Sequence, residues 1–405
     1  MRIEWITAIR FLREGRAQTL LVLSGVTVGV GVIIFLTALI SGLQTDLISK
    51  TLGSQAHIVV RPQEDETKRI LQDTQQPIAA IVERRAQRLR SIEQWQKIEK
   101  QLQREPGVIA VSPMVAGPGF AVRGNADMSI AILGVDPQLY TRIVDINSKL
   151  RQGEFRISSN DTVIGIELAH NLGVRVGDKL RIETQMGASE TLTVAGIFDI
   201  GVKDLNKRWA FVNLRVAQSL LDLGGGITNF DLAVDDIFKA DTVADNIANN
   251  TGLIADSWMK INAQLMIGLR SQSASSNMIQ FFVIVAVAFG IASVLVVSVV
   301  QKSREIGILR AMGTRRIAIV KIFLIQGGIV GVLGSIFGSA LGAGLALVFA
   351  NFAQGPNGQP VFPVDINALL FVKATLLATT TGLLSATIPA MRAAKLDPVT
   401  AIRYG

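Results

Sequence analysis

Four long runs of this chain carry no Asp, Glu, Lys, Arg or His, and they decide most of what it can fold into. They are Ala17–Thr45, Ser271–Gln301, Ile322–Val364 and Ala374–Met391. A hydrocarbon layer about 30 Å thick is crossed by roughly 20 apolar residues in helix, with every backbone group bonded inside the segment. Three runs supply that length outright, and the fourth borrows from 366–372. The pattern predicts spans at 19–43, 276–300, 322–350 and 367–390. The first is about twice as long as the apolar part of a secretory signal, roughly 7–15 residues, and no small-x-small cleavage site closes it, so a retained helix is expected.

Orientation follows from Lys and Arg. The segment 1–18, the segment 301–321 and the tail 391–405 hold thirteen bases against Glu4, Glu14, Glu305 and Asp397. Between Asp46 and Arg270 there are 26 bases and 27 acids. The positive-inside rule puts both termini and 301–321 in the cytoplasm, and the 44–275 domain and the short 351–366 loop outside it. The net charge of +8 is therefore topology and not a nucleic-acid footprint. With no cysteine, the external domain must stand on its core alone, which its length allows.

Within that domain, "HIVVRP" (57–62) reads as a strand, and 67–104 as a charged helical stretch with Ile78, Val82, Leu89, Ile92, Trp95 and Leu102 near one face. "GVIAVSPMV", "GFAVRG" and "SIAILGV" read as three short strands bounded by turn residues. "TVIGIELAHNLGVRVGDKLRIET" (162–184) predicts strand, short helix, Gly-Asp turn and strand. "ETLTVAGIFDIG" and "RWAFVN" add strands, Asn213 caps a helix through Leu223, and "NFDLAV" precedes a helix near 239–250. Two α+β halves with a β-rich insert at about 150–205 are expected.

A search for chemistry finds little. His57 and His170 are far apart with no cysteine to join them, so the pattern predicts no metal site. "SWMK" (257–260) fits a Ser-x-x-Lys motif, but its Ser-Asp-Asn and Lys-Thr-Gly companions are missing and chance accounts for the match. No G-x-x-x-x-G-K-[ST] loop occurs, so no catalytic residue, cofactor or metal is expected on this chain. The spans lack the buried charges that ion-coupled carriers need, which implies an external energy source for any work done.

Two patterns remain. In the third span Gly327 and Gly331, and then Gly334, Gly338 and Gly342, recur every four residues, as do Gly25 and Gly29 in the first. Small residues at that spacing let helix backbones approach closely, against either another span or another subunit. Between the second and third spans lies "SREIGILRAMGTRR" (303–316). Ile306, Leu309 and Met312 share one helical face, Arg304, Arg310, Arg315 and Arg316 supply charge beside Glu305, and Gly313 suits a left-handed stop. The residues alone leave two readings: an interfacial helix that fixes orientation, or a helix on which a partner docks.

That segment resembles the cytoplasmic segment of FtsX/MacB-type ABC transporter permeases, the type VII exporters. The tail "PAMRAAKLDPVTAIRYG" (389–405), the "ILGVDP", "GIELAHNLGVRVGDKLRI" and "VAGIFDIG" strings, and "SGLQTDLISKTLGSQAHIVV" after the first span are similar to its LolC/LolE branch, the lipoprotein-releasing permeases. The resemblance implies four transmembrane α-helices with a large α+β extracytoplasmic domain, a MacB-like periplasmic core, inserted between helices 1 and 2 in the cell inner membrane. It makes Arg304, Glu305, Ile306, Leu309, Arg310, Met312 and Gly313 a coupling helix for a separate cytoplasmic ATPase subunit, which would supply ATP and Mg. It also implies a second permease protomer, identical or not, a lipoprotein or amphiphilic substrate, and a periplasmic carrier or adaptor. Three functions compete: lipoprotein or lipid-like export, MacB-like export of peptides and small amphiphiles, and FtsX-like regulation of a cell-wall hydrolase without transport.

Overall fold

The computed structural model describes residues 2–63, 89–353 and 367–397. The expected helix at 67–88, most of the 351–366 loop and the tail motif from Pro398 onward lie outside the described residues. Two compact units are present, Met1–Leu47 with Ile267–Gly405, and Ile48–Met266.

The chain starts with α1 (Arg2–Glu14) and α2 (Arg16–Leu52), then runs through β1 (Ile58–Arg61), α3 (Trp95–Leu102), β2 (Val108–Arg123), β3 (Ala126–Val135), α4 (Pro137–Tyr140) and β4 (Leu150–Gly153). Next come β5 (Asp161–Gly165), α5 (Ile166–Leu172), β6 (Lys179–Glu183), β7 (Ser189–Phe198), α6 (Lys203–Arg208), β8 (Trp209–Asn213) and α7 (Leu214–Leu220). The sheet domain ends with β9 (Asn229–Val234), α8 (Ala240–Thr251), β10 (Ile254–Ser257) and α9 (Trp258–Ile261). The chain returns to the first unit through α10 (Ala263–Gln301), α11 (Ser303–Ala311), α12 (Arg316–Phe352) and α13 (Ala368–Ala394).

Among the described residues four helices are long and apolar enough to cross a membrane: α2, α10, α12 and α13. α2 has 37 residues and α10 has 39, about 55 Å of helix each. Each is therefore nearly twice as long as a hydrocarbon layer is thick, and each continues unbroken through the point in the chain at which the two units divide.

Instead of two halves with an insert, the sheet domain holds one ten-stranded sheet. β2 pairs with β3, β3 with β8, β8 with β5, β5 with β7, β7 with β6, and β6 again with β2, so six strands close on themselves. The predicted insert at 150–205 is the part that closes this ring. Of the other four strands, β4 pairs with the end of β7, and β10–β1–β9 form a wing joined to the first half of β2.

"GVIAVSPMV" and "GFAVRG" form one strand of 16 residues, not two, in spite of Pro113 and Pro118. The Ala116 N–H donates to Thr228 Oγ1 on the side away from β3. Pro118 shares that parity and sits where β9 has ended and β6 has not begun. Pro113 has the opposite parity and lies one residue beyond the β3 ladder, which starts at Met114. Neither proline removes a ladder bond. β4 and β10, too short to show a pattern, went unrecognised in the sequence.

Strand periodicity sorts the core into two faces. Ile130, Ile132, Ala210 and Val212 join one buried cluster, whereas Leu133, Val135 and Phe211 join the other. Phe211 is ringed by Tyr140, Phe155, Phe198 and Trp209 at 5.4–5.9 Å between centroids. Packing of this kind does the work disulfides would otherwise do. "SWMK" is structural: Ser257 accepts from the Lys260 N–H as an N-cap and donates to Asp241, and Lys260 pairs with Asp256 at 2.8 Å. His57 is likewise engaged, its Nδ1 accepting from the Val234 N–H at 3.0 Å. Asn213 caps α7 as expected, but the helix stops at Leu220, not Leu223.

One buried acid stands out. Asp231, in mid-strand β9, is 6% exposed and accepts from Asn229 Nδ2 at 2.7 Å. Burial pushes its pKa up to about 7, against the hydrogen bond from Asn229. The folded state thus holds this proton more tightly than the unfolded chain, so its stabilising effect is full at low pH and is lost as pH rises toward about 7. Asp231→Asn should melt at a higher temperature than the parent at pH 8, with the difference shrinking by pH 5. A pH-independent difference in calorimetry would contradict the burial argument.

Candidate functional site

The chain turns between α10 and α11 at Lys302, and this ammonium is the centre of the site. Its Nζ lies 2.5 Å from Glu14 Oε2 of α1 and 2.8 Å from Glu305 Oε1 of α11. It also sits 5.5 Å from the centroid of Phe11. Hydrogen bonds from Lys302, and then from Arg10, hold Glu14 below the usual carboxylate range. The same contacts, Glu14 first, raise Lys302 above the ordinary amine value. A second clamp lies nearby: Gln18 Nε2 of α2 donates to Gln301 Oε1 of α10 at 2.7 Å.

α11 has an attached face and a free one. Ile306 is 0% exposed and packs in the cluster that includes Phe11, Ile319 and Ala390, with Leu309 against its edge. Arg310 Nη1 donates to the carbonyls of Ala394 at 2.6 Å and Leu396 at 3.1 Å, tying α11 to the end of α13. Gly313 has φ +95°, and the Gly313 and Thr314 N–H groups bond back to Arg310 and Leu309, closing the helix end.

The predicted apolar face Ile306–Leu309–Met312 is thus divided. Two members belong to the protein's own bundle, and Met312 is 72% exposed. Arg304, Ile308, Ala311 and Met312 form the open face, with Ile308 43% exposed. The sequence reading missed Ile308, because hydropathy spacing cannot say which of two apolar stripes has a partner within the chain. It also missed Lys302, Glu14 and Gln18, whose partners lie nearly three hundred residues away. The local hints were the i,i+4 pair Arg10–Glu14 in the short helix α1, 2.7 Å apart, and the i,i+3 pair Lys302–Glu305.

The glycine ladder packs against spans of the same chain. Gly327 faces Gly382 of α13, and a Cβ at Gly331 would lie 2.8 Å from the Ala378 carbonyl oxygen. Gly334, Gly338 and Gly342 face α2 instead. A Cβ at Gly338 would lie 2.6 Å from Val30 Cβ, and one at Gly342 2.7 Å from the Gly31 carbonyl oxygen. In the first span, Gly29 faces Val287 of α10, and Gly25 meets open space. α12 is therefore the hub of the bundle, with α13 on one glycine pair and α2 on the next three.

Four helices long and apolar enough to cross a membrane, a sheet domain inserted after the first, and a clamped helix between the second and third are the architecture of a multi-pass membrane protein. Residues 19–250 match the MacB-like periplasmic core domain, and residues 277–398 match the FtsX-like permease C-terminal region. The chain belongs to the family of ABC transporter permeases built from these two domains. It is 25% identical to the lipoprotein-releasing system transmembrane protein LolC of Xylella fastidiosa, over 98% of this chain and 97% of that protein. It is 26% identical to LolE of Haemophilus influenzae over 76% of this chain and 80% of that one. Against the macrolide export ATP-binding/permease protein MacB of Neisseria meningitidis, identity is 36%, over only 28% of this chain and 17% of that protein.

Gly338→Ala should destabilise the detergent-solubilised protein by about 1–3 kcal/mol, because neither Val30 nor the α2 backbone can retreat freely. Gly344→Ala, in the same helix with nothing within 4 Å, should be neutral or slightly stabilising. Equal melting temperatures for the two variants would remove the packing role.

Proposed function

We propose that this chain is the permease subunit of an ABC transporter that uses ATP hydrolysis by a separate ATPase subunit to move lipoproteins or lipid-like amphiphiles out of the cell inner membrane. The observation that carries this is the near full-length similarity to LolC, joined to an α11 whose inner face is locked and whose outer face is open. This chain's own part is mechanical. The ATPase, bringing ATP and Mg, docks on Arg304, Ile308, Ala311 and Met312. Its closure displaces α11, and Lys302 passes that displacement to α1 through Glu14 and to α10 through the chain itself. α10 and α2 carry it into the sheet domain as unbroken helices. A second protomer completes the transporter, and a carrier or adaptor receives the cargo outside.

Glu305 and Leu309 take part by positioning: Glu305 holds Lys302, and Leu309 seats α11. Met312→Asp with Ile308→Asp should weaken ATPase association about tenfold or more while leaving insertion and melting temperature unchanged, since both side chains project from the fold. Glu305→Gln should instead leave association intact and reduce stimulation of ATP turnover by cargo. The decisive experiment is reconstitution with the partner ATPase subunit. ATP-dependent release of a diacylated or triacylated lipoprotein from proteoliposomes is the expected result. Turnover unaffected by any acylated protein would overturn the assignment.

A further inference from the structure

The sheet domain contains a cavity of about 350 Å³ that nothing above uses, and it is unusual in what lines it. Its apolar wall includes Met114, Leu133 and Trp209. Its polar lining comes from three side chains with hydrogen-bonding capacity left over. Asp231 spends Oδ1 on Asn229, and among the described residues nothing bonds Oδ2. Tyr140 is 2% exposed, packs its ring on Phe211, and has no hydrogen-bond partner for its hydroxyl among the described residues. Gln55 Nε2 is a buried donor with no partner.

Of the three, Gln55 Nε2 is the one fully enclosed atom without a partner among the described residues, and such a donor is costly unless something else satisfies it. Here the three groups are complementary in type. Ionised, as at pH 8, above its raised pKa of about 7, the Asp231 carboxylate needs a donor. Gln55 Nε2 and the Tyr140 hydroxyl, which burial keeps firmly protonated, need an acceptor. A group that offers one N–H and one C=O side by side, attached to an apolar body, meets all three at once. A free amine lacks the acceptor, an ester or carboxylate lacks the donor, and a phosphate has no unpaired cation to meet, since Arg61 is held by Asp256 at 3.0 Å.

We propose that this cavity is a binding site for a secondary amide on an apolar body, and that it receives the amide-linked, lipid-bearing end of the exported chain. This deepens the export reading and rests on it for the natural ligand. The location gives the site a consequence. Gln55 lies three residues after Leu52, the last residue of α2, and Asp231 sits in β9, which pairs directly with β1. A bound amide would therefore touch the segment through which the first span is tethered to the sheet.

The test uses the full chain in lipid nanodiscs and two small isosteres, N-butylpentanamide and butyl pentanoate, with binding read by ligand-observed NMR against empty nanodiscs. They differ by an N–H against an oxygen, and a site built to bond that N–H rejects the analogue lacking it. The amide should bind at least about tenfold more tightly than the ester. In Asp231→Leu that preference should fall to near unity with ester binding retained, whereas Gln55→Leu should weaken both probes alike. Ala116→Leu, which fills the cavity from its wall, should abolish binding of both and guards against misfolding of the Asp231 variant. Equal affinities on the parent, a preference that survives Asp231→Leu, or no binding above empty nanodiscs would each overturn the proposal. If lipoprotein release persists in any of those cases, only the cavity is lost and the export reading stands.

Discussion

The hydrocarbon layer excludes charge, and the rest of the structure follows from that exclusion. Because the four spans carry no charge but Lys373 near one end of α13, they cannot recognise one another by ion pairs, and because lipid is as apolar as leucine they gain little from hiding apolar surface. What remains is close approach of backbones. α12 achieves it by placing glycines where α13 and α2 pass, so that carbonyl oxygens and Cα atoms of neighbouring helices meet without side chains between them. The ion pairs are displaced to the helix ends, where Lys302 gathers α1, α10 and α11 around one ammonium, while within the spans Gln280 Nε2 donates to Thr37 Oγ1 at 3.1 Å. The two carboxylates beside Lys302 remain partly open to water, so the cluster works by its geometry, three helices on one ammonium, more than by the strength of any one pair.

This division explains why some of the architecture could be read from the sequence. The spans were legible because a lack of charge over twenty or more residues is a strong signal that needs no partner. The helix–turn–strand order at 162–184 was legible because Gly173 and Gly177 both have positive φ and mark the ends of their elements. What was not legible depended on who pairs with whom. The closed ring of strands arises because β2 gives its first half to β9 and its second half to β6 along one edge. No local pattern announces such a change of partner, and the prolines at 113 and 118 pointed the other way.

The same holds for the site. Gly313 and the basic character of 303–316 were plain in the sequence, and so was the existence of an apolar stripe. Its division into a buried half and an open half was not, because Ile306 and Ile308 are chemically identical and differ only in what stands opposite them. Asp231 was equally hidden. Within "NFDLAV" it reads as an outward-facing strand acid, and only the ladders to β1 and β2 on either side show that it is enclosed.

The wing of the sheet holds one more consequence. β1 follows the first span, β10 leads back toward the second, and the two lie antiparallel with Ile58 opposite Ser257. Both tethers thus leave from the same end of one two-stranded ladder. Were the two spans drawn apart, the load would fall on one backbone bond at a time, the geometry in which a zipper opens. Were they driven together in the same direction, the load would be shared along the sheet and the domain would travel whole. The ladder is therefore weakest against separation of its two tethers and strongest when both are loaded in the same direction.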